Sequence, residues 1–131
     1  MAFKARIGSL AKTITWLSPV IEKDNTINQV LYFCEEADID DILITITKLN
    51  EIYSNINFIR IENLNDYEEL LLMSLCKHNI IANSSFSWWA AYFNGWEDKQ
   101  VYYPLRWFGP AAEHNTKDLC PPNWKRIDFW I

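Results

Sequence analysis

Four small polar residues interrupt an otherwise apolar run. Asn83, Ser84, Ser85 and Ser87 sit inside NIIANSSFSWWAAYFN, residues 79–94, which contains no charged side chain. Hydroxyls and an amide in that setting could donate to anionic oxygens. Ser84 or Ser85 is a natural helix N-cap. The first amides of a helix lack internal partners and carry a partial positive charge, so a phosphate can bind there with few basic residues. On spacing alone, a cap and a cap that also serves an anion site both stand.

Other chemistry is sparse. His78 follows Lys77 at an expected helix end, where contact with the helix dipole explains it, and His114 stands beside Glu113 in a loop. These two histidines make no metal-ligand pattern, and no Ser-His-Asp order is present. Cys34, Cys76 and Cys120 are odd in number and widely spaced, which reads as reduced thiols in a cytoplasmic setting. Arg106 follows an expected strand end and could reach a phosphate or form a surface ion pair. Glu35, Glu36, Asp38, Asp40 and Asp41 read as a solvated helix start. Asn83 also opens a glycosylation sequon, set aside for want of a secretory signal.

The elements that must hold the polar run come next. The chain has 131 residues, half of them hydrophobic and 15% aromatic, enough for a single α/β domain over 1–131 with a real core. Its net charge of −5, with scattered basic residues, argues against nucleic acid as a general partner. Residues 78–96 lack formal charge, yet their seven polar side chains are costly in hydrocarbon. No transmembrane span is expected; peripheral membrane association stays compatible.

Ile7, Leu10, Ile14 and Leu17 recur at helical spacing, predicting a helix over 5–17 that ends before Pro19. Strands are expected at 29–34, 56–61, 79–82 and 100–103, and helices at 66–78 and 84–94; over 38–53 Ile42, Ile44 and Ile46 alternate like a strand, but the length and the early acidic residues favour a helix. Asp66 is a candidate cap for the third helix, and Asn94-Gly95 a stop for the last. Trp89, Tyr92 and Phe93 lie at i, i+3 and i+4, so that stripe should pack on the sheet. Strand–helix alternation predicts a mainly parallel, Rossmann-like sheet flanked by helices. Ligands of such sheets bind beyond the carboxyl ends of the strands, where Asn83–Ser85 would lie.

The segment DYEELLLMSLCKHNIIANSSFSWWAAYFN, followed by KQVYYPLRWF and NTKDLCPPNW, resembles the C-terminal part of the α-1,2-fucosyltransferases of glycosyltransferase family 11. The likeness covers roughly 66–126; residues 1–28 resemble nothing that can be placed. It implies the donor-binding half of a GT-B fold and transfer of fucose from GDP-fucose to a galactoside, with no metal or other cofactor. It also implies donor contacts from Asn83, Ser84, Ser85, Phe86 and Ser87, and places Asp66 either near the donor's base or ribose or as a cap. The family's His-x-Arg-Arg-x-Asp donor motif is absent, since no His precedes residue 78. A truncated chain, weak or inactive alone, with a possible partner chain supplying an N-terminal half, is therefore expected. The alternative is a non-catalytic remnant that binds a sugar nucleotide or a protein.

Overall fold

The computed structural model describes residues 1–4, 10–33, 39–82, 84–104 and 119–127. The described elements run β1 (Ala2–Lys4), α1 (Leu10–Lys23), β2 (Gln29–Phe33), α2 (Ile39–Ile52), β3 (Asn57–Ile61), α3 (Asp66–Ser74), β4 (Asn79–Ile80), α4 (Ser85–Phe93), β5 (Val101–Pro104) and β6 (Lys125–Ile127). All six strands join one sheet in the order β3-β2-β1-β4-β5-β6, and every neighbouring pair is parallel. This is an open α/β, Rossmann-like sheet. β2, β3, β4 and β5 were expected within a residue or two. β1 and β6, three residues each, were not.

The two faces of the sheet follow strict alternation. Phe3, Val30, Tyr32, Phe58, Ile80 and Tyr102 point to one side, where they meet Trp16, Leu17 and Val20 of α1 and Ile42, Ile46 and Leu49 of α2. Ala2, Leu31, Phe33 and Ile61 point to the other, against Met73 of α3 and Ala90 of α4. The chain therefore winds outward from β1 to β3 over one face and returns over the other. The order reverses between β1 and β4, which are hydrogen-bonded neighbours 77 residues apart in register (Ala2 opposite Asn79).

Two helices depart from expectation. α1 continues through Pro19 to Lys23, although a proline inside a helix costs about 3 kcal/mol. Trp16, Leu17 and Val20 are all buried around it, and burial of each is worth roughly 1.5–3 kcal/mol, so packing outweighs the lost bond. Residues 5–9 of the expected helix lie outside the described residues. In α4 the aromatic stripe does not face the sheet. Ser87, Ala90 and Ala91 are buried, whereas Trp89, Tyr92 and Phe93 are about half exposed. Small residues let the helix approach the sheet closely, and the larger rings are turned outward, where they pack on one another: Trp89 stacks on Phe93 at 5.5 Å and meets Tyr92 edge-on at 5.7 Å.

Candidate functional site

β4 is a two-residue strand, and the chain reverses almost at once into α4. Ser84 is the N-cap, held extended (φ −133°, ψ 144°), and its Oγ accepts the Ser87 amide at 3.2 Å. The Ser84 amide donates back to the Ala82 carbonyl at 2.9 Å, closing the turn. Ser87, fully buried, donates its hydroxyl toward the carbonyls of Ala82 (3.0 Å) and Ser84 (3.2 Å). Its oxygen stands 2.7 Å from Ser84 Oγ. Ser85, the first helical residue, is exposed, and its side chain has no hydrogen bond within the described chain. Phe86 is half-buried in the cluster beneath α4. Asn83 and Arg106 lie outside the described residues, as do Cys34, Glu35, Glu36, Asp38 and His114.

This elbow stands beyond the carboxyl end of β4, beside the point where the strand order reverses, and open α/β sheets bind ligands in that crevice. The fold thus gives the location a reason that the serine spacing alone does not. Asp66 opens α3, which follows β3 at the edge of the sheet. Asp66 is not the cap: Asn65 accepts the Glu68 amide at 2.8 Å while Glu68 accepts the Asn65 amide at 3.2 Å, a reciprocal capping box. Asp66 itself is exposed in the first turn. The bend before it needs a left-handed residue, supplied by Asn63 at φ 63°.

The far end of α4 is fixed by amides rather than by a glycine. Asn94 is the C-cap, with ordinary negative φ; its side chain donates to Asn79 Oδ1 (2.7 Å) and to the Lys77 carbonyl (3.1 Å), and accepts from the Trp96 amide (2.9 Å). Asn79 in turn donates to the Met73 carbonyl at 2.8 Å. Lys99 Nζ closes the helix by donating to the carbonyls of Ala91 (3.0 Å) and Asn94 (2.9 Å). Both ends of α4 are thereby tied to β4, and the elbow's direction is set by the whole helix.

His78 is not a surface residue beside a helix dipole. α3 ends at Ser74, and His78 is buried just before β4. Its Nδ1 accepts the Gln100 amide at 2.9 Å, so its Nε2 carries the proton and donates to Asp24 at 2.7 Å. It binds the end of α1 to the starts of β4 and β5, at the end of the strands opposite the elbow. Sequence reasoning missed this pairing because Asp24 and His78 are 54 residues apart.

Arg126 of β6 stands opposite Tyr103 of β5 and acts on its phenol electrostatically. Burial pushes the Cys120 thiol and the Tyr103 phenol upward, so neither supplies a negative charge near neutral pH. The Cys76 thiol is raised by burial as well. Among the described residues no group of three His, Cys, Asp or Glu side chains could hold a metal ion, and no helix is long and apolar enough to cross a membrane. Among the described residues of the elbow itself, an anion is offered the exposed Ser85 hydroxyl and the electropositive start of a helix.

The family model of glycosyl transferase family 11 matches residues 48–128, which carry β3 to β6 and the elbow. The chain belongs to glycosyl transferase family 11. This family 11 chain is 48% identical over 56 residues to the O-antigen biosynthesis glycosyltransferase WbnK of Escherichia coli, an alignment covering 43% of the chain and 18% of that protein. It is 40% identical over 80 residues to an alpha-1,2-colitosyltransferase of Escherichia coli, covering 60% of the chain and 27% of that protein. The family 11 chain thus spans about a quarter or less of the length of these curated relatives. No solved structure matches it.

Proposed function

We propose that this chain carries the donor site of a fucosyltransferase-type glycosyltransferase, the donor-binding half of a GT-B architecture, taking GDP-fucose as donor and a galactoside as acceptor. The observation that carries this reading is the β4–α4 elbow, inside the family span and at the reversal of the strand order. The donor's diphosphate would sit at the start of α4, with Ser85 donating its hydroxyl, Asn83 and Ser84 completing the turn and Phe86 beneath it. In sugar transfer negative charge gathers on the departing diphosphate. Donors fixed in advance at that position favour the transition state without a metal. Arg106, two residues after β5 in the sequence, is the candidate cation for that diphosphate. Asp66 would lie at the other end of the donor, toward its base or ribose. The relative that transfers colitose keeps a second deoxy sugar in view as the transferred group.

The 131 residues hold no His-x-Arg-Arg-x-Asp motif. A neutral hydrogen bond contributes only about 1 kcal/mol net, so hydroxyls do not replace paired guanidinium groups. The chain alone should bind GDP weakly and turn over poorly or not at all. A partner polypeptide would supply the acceptor half, and the setting would be cytoplasmic, with peripheral membrane contact allowed. The missing motif also favours a second reading, a sugar-nucleotide-binding module without catalysis. Calorimetry with GDP, GDP-fucose and GDP-mannose, followed by GDP release in the presence of galactosides, separates the two. Binding selective for GDP-fucose and weakened about tenfold by Ser85→Ala supports the donor site. No binding of any guanosine diphosphate sinks it, and rapid release by the chain alone refutes the charge argument.

A further inference from the structure

We infer that Ser87 is a positioning residue, the clamp that sets the angle between β4 and the start of α4, and that the donor is met by Ser85 and not by Ser87. The inference rests on the reading that the elbow faces the donor's phosphates. Its basis is a count of protons. Ser87 has one hydroxyl proton and three oxygens around it: Ala82 O at 3.0 Å, Ser84 O at 3.2 Å and Ser84 Oγ at 2.7 Å. The two carbonyls can only accept, so the Ser87 proton points to them. The 2.7 Å contact then requires Ser84 to donate its own proton to Ser87 Oγ. Ser84 Oγ meanwhile accepts the Ser87 amide.

The hydroxyls of Ser84 and Ser87 are thus spent on a closed, directional relay. It joins the last carbonyl before the turn to the first carbonyl of the helix, which also accepts the Trp88 amide at 3.1 Å. Ser87 is fully buried, so no ligand atom reaches it without dismantling the relay. Ser85, one residue past the cap and exposed, keeps an outward-facing hydroxyl.

The test is a double-mutant cycle on the full chain, using GDP as probe. Ser84→Ala and Ser87→Ala each break the same relay, so each should weaken GDP binding about tenfold, and the double variant should lose no more than either single one. Losses that multiply to about a hundredfold mean separate contacts with the ligand and overturn the inference. So does an unchanged Kd in Ser87→Ala. Amide hydrogen exchange without ligand judges the clamp independently of the donor reading: exchange at Ser84 and Trp88 should quicken about tenfold in Ser87→Ala. If wild type binds no GDP but exchange quickens, the donor reading fails and the clamp stands. If exchange does not change, the clamp fails. Should Ser87→Ala not fold, Ser84→Ala, at the half-buried cap, carries the same exchange prediction.

Discussion

Asn94 shows how much one amide can hold in place. It serves Lys77, Asn79 and Trp96 at once while 3% exposed. Asn94→Ala would strand the buried Asn79 amide oxygen and take a donor from the part-buried Lys77 carbonyl, so it should lower stability by about 1–3 kcal/mol in urea unfolding. A loss under about 0.5 kcal/mol would mean that water replaces the lost partners. Asp24 makes a prediction in pH. The Thr26 hydroxyl, then His78, then the Thr26 amide hold its carboxyl well below the usual carboxylate range. A carboxylate depressed in the folded state stabilises above its unfolded pKa, about 3.9, and loses that contribution as pH falls toward the folded value. The stability gap between wild type and Asp24→Ala should therefore be constant above about pH 5 and shrink below pH 4. A gap that widens on acidification would reverse the sign. At this scale the sequence showed which residues could bind an anion but not where their protons go. Ser84, Ser85 and Ser87 look alike as letters, and only the turn separates two that are consumed internally from one that faces outward.

Among the elements, α4 was legible in its bounds and misread in its orientation. A helix with aromatic and small residues on different faces offers two apolar stripes, and amphipathicity cannot rank them when neither is polar. Close approach to the sheet decided for Ser87, Ala90 and Ala91. β2 to β5 were readable because β-rich runs alternate with helical faces, and α2 because its length and early acidic residues favour a helix; Ile42, Ile46 and Leu49 do share its buried side, while Ile44 is exposed. β1 and β6 were missed because three residues are too short to show a period. The end of α4 yields another test. Gly95 has no positive φ, and a Cβ there would meet nothing within 4 Å. Gly95→Ala should stabilise the protein by about 0.4–1 kcal/mol through the unfolded chain. Destabilisation measured by urea midpoint would show that the glycine is needed after all.

For the whole molecule, β1 is the strand on which both halves of the sheet depend. Phe3 is fully buried there, 4.7 Å from the Tyr32 ring and 5.5 Å from that of Trp16. Phe3→Ala should remove about 3–5 kcal/mol, a large part of the 5–15 kcal/mol that domains possess. Hydrogen exchange should quicken in β2 and β4 together; quickening on one side alone would argue that the halves are independent. The same strand imposes an order of events during synthesis. β1, β2 and β3 with their two helices are made before β4 and can pair among themselves. β4 follows β1 by 77 residues, about 4–15 s at ordinary rates of translation. Through that interval one edge of β1 stays open, and a nascent chain arrested before Asn79 should be cut readily by protease. Resistance should arrive in one step, once β4 and β5 have left the ribosome and the sheet closes on the open edge of β1.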